Sequence, residues 1–343
     1  MNDSLLMAVE RTENLVRHGS HPRLSVILVV EGSPSYAMRA LESVQNHDLY
    51  DLQIVVVCRG VAPGVRHSLE VAAGRDIHID LIDVVYEVVD SRIPYSSMIP
   101  DLAKITREKQ NIIVFNKYDL CDKDETSKWI EKYNKEGYIT VTCDSKNTND
   151  YKKIIEEVTK LMKSVNEKRK NKGLLPKKAK CLIVGVPNVG KSTLINKLVG
   201  KNIVGVGNKP GVTKSLTTLR INDTIDLVDS PGILWPKFEN NLVAYNLASM
   251  TIIKEEVITI EEVAIHILKM LSKYYPNILK QEFGIDYYND DEIEECFTKI
   301  SKKKNIPVKG EVDYEKVSLV IINSIKQEKV KNITFDRIDE IKY

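Results

Sequence analysis

Apolar runs and their spacing divide the chain into short strands and amphipathic helices. Leu24–Val30 (LSVILVV) and Leu52–Cys58 (LQIVVVC) are β-branched runs. They bracket a helical stretch, Tyr36–Asn46, with Met38, Leu41 and Val44 on one face. Strand, helix and strand in that order predict a βαβ unit with parallel strands. Alone, one such unit cannot cover both faces of its sheet. Leu81–Asp90 is almost continuously apolar, the pattern of a strand buried on both faces. Lys104–Lys109 is polar and is expected on a helix. Further strands are expected at Ile112–Phe115, Tyr138–Thr142, Leu182–Val184 and in the run from Ile225 to Asp229. Beyond residue 240 the spacing turns helical: Val263, Ile267, Met270 and Leu271, then Val317, Val320 and Ile321. A small helical domain is expected there, with His266 beside its apolar stripe as a structural histidine.

Composition changes this picture at one place. Residues 1–80 hold no lysine, seven arginines and five of the six histidines, whereas residues 81–343 hold 38 lysines and five arginines. Both cations serve equally on a solvated surface, so the contrast points to two segments of different origin, joined near Ile77 to Leu81. The net charge of +2 says little about partners. No apolar stretch reaches the 18 residues of a membrane span. Cys58, Cys121, Cys143, Cys181 and Cys296 are scattered without CxxC spacing. Free thiols in a reducing cytoplasm are therefore expected, not a zinc knuckle or disulfide framework.

The candidate chemistry lies at the ends of the predicted strands. After Ile112–Phe115 come Asn116, Lys117, Tyr118 and Asp119. NKxD in this place is the guanine-reading motif of GTPases. The Asp119 carboxylate can accept two hydrogen bonds from guanine N1 and N2, whereas adenine lacks that donor pair and would leave the carboxylate unpaired. Asn116 and Lys117 are expected to brace the base and the loops. Cys143, Asp144, Ser145 and Lys146 follow the next strand, where GTPases carry a loop over the guanine. Gly185–Thr193, GVPNVGKST, fits GxxxxGK[ST] between a strand and a helix, the setting a P-loop requires. Backbone N–H groups of Asn188, Val189, Gly190 and the following helix N-terminus, through Thr193, are expected to cradle phosphates. Lys191 would reach the β- and γ-phosphates and Ser192 would ligate Mg²⁺. Thr213, in KPGVTKS, is placed as the switch threonine facing Mg²⁺ and the γ-phosphate. In DSPG, Asp229 is expected in the outer Mg²⁺ shell and the Gly232 N–H on the γ-phosphate. Lys191 and Thr213 are the candidate catalytic residues, with no water-positioning residue assigned.

The order of these motifs is NKYD, DSK, P-loop, PGVT, DSPG, whereas an ordinary small GTPase places the P-loop first. That order is circularly permuted, which leaves the sheet and site intact because domain termini lie at the surface. With LIDVVYEVVDSRIPYSS at the front, DSPGILWPKF after the site, and GEVDYEKV and ITFD near the end, the chain from Leu81 to Asp336 resembles the ribosome biogenesis GTPase A family. The resemblance implies an α/β fold: a circularly permuted P-loop GTPase domain over residues 81–238 and a C-terminal helical domain over 239–343. It also implies GTP/GDP and Mg²⁺ as ligands, K⁺ near Asn188, and GTP hydrolysis coupled to late assembly of the large ribosomal subunit. Apart from the resemblance, a cytoplasmic monomer with no membrane contact is expected.

Two features depart from that family. Its short Trp-x-Pro-Gly-His-Met segment, which bears the proposed catalytic histidine, is absent. Ile233 stands where ordinary GTPases place a water-orienting glutamine. Slow hydrolysis is the expectation. Residues 1–80 form the βαβ fragment, and Pro22–Gly60 resembles the opening of a family 2 glycosyltransferase. Cys58 and Arg59 stand where that family carries an acidic residue, so glycosyl transfer is disfavoured against a GTP-binding protein or an inert chimera. Lys160–Lys180 holds nine basic residues against Glu167, and Lys299–Lys304 adds four lysines. Contact with the RNA of the large subunit and a plain solvated surface are equally supported by the first stretch.

Overall fold

The computed structural model describes the backbone of residues 24–31 and 52–59, together with residues 82–100, 102, 106, 110–144, 147–200, 217–229, 240–253, 258–307 and 312–341. β1 (Leu24–Glu31) and β2 (Leu52–Arg59) pair in parallel, Leu24 opposite Leu52 and Glu31 opposite Arg59. This matches the pairing expected of the first segment; the helix expected at Tyr36–Asn46 lies outside the described residues.

The main sheet has six strands: β3 (Val84–Asp90), β4 (Gln110–Asn116), β5 (Ile139–Cys143), β6 (Ala179–Val184), β7 (Thr217–Arg220) and β8 (Ile225–Asp229). Their order is β5-β4-β3-β6-β8-β7. All neighbours are parallel except β7, which runs antiparallel to β8. Every residue of β3 is buried, Glu87 and Asp90 included, as expected of a nearly continuous apolar run. Because β3 lies between β4 and β6, the carboxyl ends of all three strands emerge side by side. Chain ends and turns leaving there meet at one edge, the place where open α/β sheets bind ligands. β7 was not expected from the sequence; its four residues carry too little pattern to announce an edge strand.

Helices α1 (Lys123–Lys135) and α2 (Thr148–Asn171) start on side-chain caps, Asp122 and Asn147, which satisfy orphan N–H groups of the first turn. α3 (Lys191–Val199) follows β6. The helical domain comprises α4 (Asn241–Ser249), α5 (Ile260–Tyr274), α6 (Pro276–Phe283), α7 (Ile293–Lys303) and α8 (Tyr314–Lys326). α5 opens with a reciprocal capping box between Thr259 and Glu262. Its buried face, Val263, Ile267, Met270 and Leu271, belongs to the same core as Val317 and Ile321 of α8, as the helical spacing predicts. Val320 differs from that reading and is only half-buried. Of the helix expected at Lys104–Lys109, only Thr106 is described; its amide donates to the Leu102 carbonyl at 2.8 Å.

The last residues return to the sheet domain. Phe335 donates its amide to the Arg92 carbonyl at 2.7 Å, and Trp129 Nε1 donates to the Asp336 carbonyl at 3.0 Å. One apolar core accordingly runs from β3 and β6 through α4 and α5 to Phe335.

Candidate functional site

The phosphate side of the candidate site is built by the turn between β6 and α3. Gly185 opens it at φ +155, and a Cβ there would stand 2.5 Å from the Val88 carbonyl oxygen of β3. Only glycine lets the turn pass that close to the strand. Gly190 ends it at φ +97, where a Cβ would stand 2.3 Å from Asn116 Nδ2. Val186 and Val189 are buried and pin the turn to the core. Gly190 at the N-cap has no side chain to cap α3, and among the described residues none does so, so its first N–H groups and the positive end of the helix dipole face the site, an arrangement suited to anions. Lys191 is buried, and its ammonium donates to the Gly185 and Val186 carbonyls at 2.7 and 3.0 Å. A cation held over an uncapped helix start is the donor set a phosphate chain requires. Ser192 and Thr193 are half-buried on the first turn.

The guanine side follows β4. Lys117 adopts a left-handed backbone, φ 57, so the strand ends in a sharp turn. The turn is tied to the next strand by the Tyr118 amide, which donates to the Cys143 carbonyl at 3.2 Å. Asp119 is half-buried in this turn. Asp144 lies at the end of β5, its amide donating to the Asp150 carboxylate at 3.1 Å.

The two sides are joined by side chains. Asn116 Nδ2 donates to the Val189 carbonyl at 2.7 Å, across 73 residues. Lys117 Nζ donates to the Asn188 carbonyl at 2.9 Å, across 71 residues. Two consecutive residues of NKYD thus hold two consecutive carbonyls of the P-loop. Asn188, at φ 60, in turn donates through Nδ2 to the Thr251 carbonyl beyond α4 at 2.7 Å.

Beneath this joint lies a cluster that motif reading missed. Asp90, at the end of β3, is fully buried. Arg92 grips its carboxylate at 2.9 and 2.7 Å, and Lys117 Nζ stands 2.9 Å from the same group. Burial opposes the charge, but Arg92 and then Lys117 outweigh it and hold the carboxyl well below the usual carboxylate range. The signal in the sequence was an acidic residue closing a mostly apolar strand.

A second buried cluster joins the domains. Asp336 accepts from the Tyr95 and Ser96 amides, both at 2.7 Å, from Ser96 Oγ at 2.5 Å and from Asn246 Nδ2 at 2.8 Å. Asn246 Oδ1 lies 2.8 Å from His266 Nε2. Since the amide group of Asn246 already donates to Asp336, the histidine nitrogen is the donor. Burial, aided by Lys269, lowers His266 to about 4, so it is neutral and structural, as its place beside the α5 stripe predicts.

Of the residues expected at the site, the structure brings together Asn116, Lys117, Asn188, Val189, Gly190 and Lys191, with Ser192 and Thr193 on the same helix start. Asp229 closes β8, and its neighbour Ile183 in β6 stands two residues before Gly185. Ser145, Thr213 and Gly232 lie outside the described residues. Among the described residues, no helix is long and apolar enough to cross a membrane.

Comparison with known proteins agrees with this geometry. The family described as 50S ribosome-binding GTPase matches residues 180–308. Ribosome biogenesis GTPase A of Bacillus licheniformis is 39% identical over 264 residues, covering 77% of this chain and 93% of the relative. The protein of the same name from Priestia megaterium is 36% identical, covering 75% and 90%. Among solved structures, GDP-bound TM YlqF is 25% identical with a TM-score of 0.54, covering 76% of this chain and 96% of that one. The GNP-bound form of YlqF from T. maritima gives 0.52 at the same identity, covering 76% and 94%. At such identity over nearly the whole length of its relatives, with the P-loop and NKYD turn locked together in space, this chain belongs to the ribosome biogenesis GTPase A family and is a GTPase of ribosome biogenesis.

Proposed function

We propose that the protein binds GTP and GDP between the NKYD turn and the P-loop, and that the nucleotide state gates its association with the large ribosomal subunit. The observation that carries this reading is the double clamp of Asn116 and Lys117 on the Val189 and Asn188 carbonyls. It fixes the span between a guanine reader and a phosphate cradle. In this reading Asp119 accepts from the guanine edge, Asp144 and Ser145 shape the base pocket, and the N–H groups from Asn188 to Thr193 receive the phosphates with Lys191. Ser192, Thr213, Asp229 and the Gly232 amide belong to the Mg²⁺ and γ-phosphate end. Mg²⁺ when bound would neutralise phosphate charge there, and K⁺ near Asn188 would add to it.

Phosphoryl transfer is governed mainly by positioning and charge. Lys191 supplies charge, while Ile233 offers no group to orient water. Hydrolysis is therefore slow and little stimulated by ribosomal particles. The basic residues from Lys160 to Lys180, on α2, the loop beyond it and the start of β6, neutralise RNA phosphates. Residues 1–80 are a segment of separate origin with a glycosyltransferase-like opening, a reading supported by their lack of lysine.

Sedimentation with large subunits tests the gating. Co-sedimentation is expected with a non-hydrolysable GTP analogue, weakening as salt rises, and to be much reduced with GDP. Equal binding in both nucleotide states would contradict it. Single-turnover hydrolysis with and without large subunits tests the rate; strong stimulation would show that another residue orients the water.

A further inference from the structure

The joint between the two halves of the site rests on a residue outside every nucleotide motif. Lys117 Nζ donates to the Asn188 carbonyl and to the Asp90 carboxylate, each at 2.9 Å. A carbonyl alone is a weak anchor for an ammonium; an ionised carboxylate gives a stronger and more directional one. Asp90 is well placed for this because it is itself held fast. Its backbone ends β3, its amide donates to Ser97 Oγ at 3.0 Å, and Arg92 binds both of its carboxylate oxygens. With Arg92 on one side, the carboxylate presents Oδ2 to Lys117 in one orientation only.

Without the carboxylate, Arg92 and Lys117 would be two neighbouring cations lacking the anion that sits between them. Each would raise the cost of charging the other in this low-dielectric setting. Lys117 has the freer route out, being 23% exposed against 4% for Arg92. It would leave the Asn188 carbonyl, and the span between guanine reader and phosphate cradle would lose one of its two clamps.

We infer that Asp90 is a positioning residue for nucleotide binding, acting through Lys117 to hold the NKYD turn at a fixed distance from the P-loop. This role rests on the nucleotide site proposed above. It concerns the base and loop geometry common to both nucleotides, not the γ-phosphate.

Stopped-flow dissociation of mant-GDP and of a non-hydrolysable mant-GTP analogue from the full chain tests it, with thermal unfolding measured in parallel. Asp90→Asn is expected to speed both dissociations by one shared factor, about 10- to 100-fold, the equivalent of one charge-assisted hydrogen bond. In a Lys117→Ala background the same substitution is expected to add nothing, since coupled residues do not act independently. A residue that merely stabilised the fold would shift the unfolding midpoint and leave that non-additivity absent. Asp90→Glu keeps the charge while displacing the carboxylate by a methylene, and is expected to give a smaller shared factor. Unchanged dissociation in folded Asp90→Asn, or losses that multiply in the double variant, would overturn the inference. So would wild-type dissociation in Asp90→Glu, should the Asn variant fail to fold. A wild-type chain that releases mant-GDP no more slowly than mant-ADP would overturn the nucleotide site itself, before any variant is made.

Discussion

Asp90 and Asp336 are both completely buried, and their surroundings treat them in opposite ways. Asp90 sits at the nucleotide end of the sheet between two fixed cations, which keep it ionised throughout the physiological range. Asp336 sits at the seam between sheet and helical domain and is given only neutral donors: two amides, a hydroxyl and a carboxamide. There burial prevails over those donors and raises its carboxyl to about 6. Neutral hydrogen bonds satisfy a buried carboxylate without cancelling the cost of its charge; formal cations do both. The Asp90 carboxylate thereby stays charged across the physiological range, while the seam carboxylate titrates.

The largest expected effect separates the two regions outright. Lys191→Ala removes the cation of the P-loop, and nucleotide affinity is expected to fall on the order of 1000-fold, the equivalent of two charge-assisted contacts. The unfolding midpoint without nucleotide should fall only modestly, through loss of the bonds to the Gly185 and Val186 carbonyls. Calorimetry showing undiminished affinity would remove Lys191 from the site.

Glu87 sharpens the comparison as a buried carboxylate that, among the described residues, has neither a cation nor a full set of donors. Its Oε1 accepts from the Ile99 amide at 2.6 Å, and burial, outweighing that bond, raises it to about 8. A raised carboxyl leaves the fold stable below its unfolded pKa and costs stability as pH rises toward the folded value. Glu87→Gln is therefore expected to be nearly neutral at pH 4 and to stabilise at pH 7 by about 3 kcal/mol, since a tenfold difference in proton affinity is worth ~1.4 kcal/mol. Denaturant unfolding at both pH values measures this; equal effects at both would show that Glu87 is charged in the fold.

At the seam two groups titrate with opposite signs. Asp336 is raised to about 6 from 3.8, so stability falls as pH rises between those values. His266 is lowered to about 4 from 6.5, so stability falls as pH drops between those values. From pH 4 to 6 the two slopes offset, each being worth about 3 kcal/mol over its window. His266→Gln should uncover the first slope and Asp336→Asn the second. Identical pH profiles for both variants would refute the assignment.

The smallest effect concerns the latch beside the seam. Tyr275 Oη donates to Asp122 Oδ2 at 3.0 Å and accepts from the Thr334 amide at 2.9 Å. Tyr275→Phe is expected to cost about 1–2 kcal/mol of stability with GDP affinity unchanged. A change in GDP affinity would show that seam and nucleotide joint are coupled.

The parts legible in the sequence are those whose chemistry is local. The P-loop needed only Gly185, Gly190, Lys191 and Ser192 in frame, and the apolar run before Asp90 announced a central strand. The stripes of α5 and α8 were readable because a helix face repeats at short intervals, although Val320 shows the stripe's edge to be blurred. What escaped were pairings fixed by strand order and chain return. Lys117 meets Asp90 because β3 and β4 are neighbours with Asp90 opposite Asn116. Asp336 meets Ser96 across 240 residues, a contact that no local pattern encodes. β7 escaped because four residues on a sheet edge carry little periodicity.

The most direct test of the account is equilibrium binding of GDP, ADP and XDP to the wild-type chain and to Asp119→Asn. The wild-type chain should prefer GDP over ADP by at least about 100-fold, the discrimination expected when a buried acceptor is left unpaired by the wrong base. Asp119→Asn should bind XDP better than GDP, since its amide can donate to the xanthine C2 carbonyl. Equal affinity of the wild-type chain for GDP and ADP, or an Asp119→Asn variant that still prefers GDP, would contradict the guanine site at the NKYD turn.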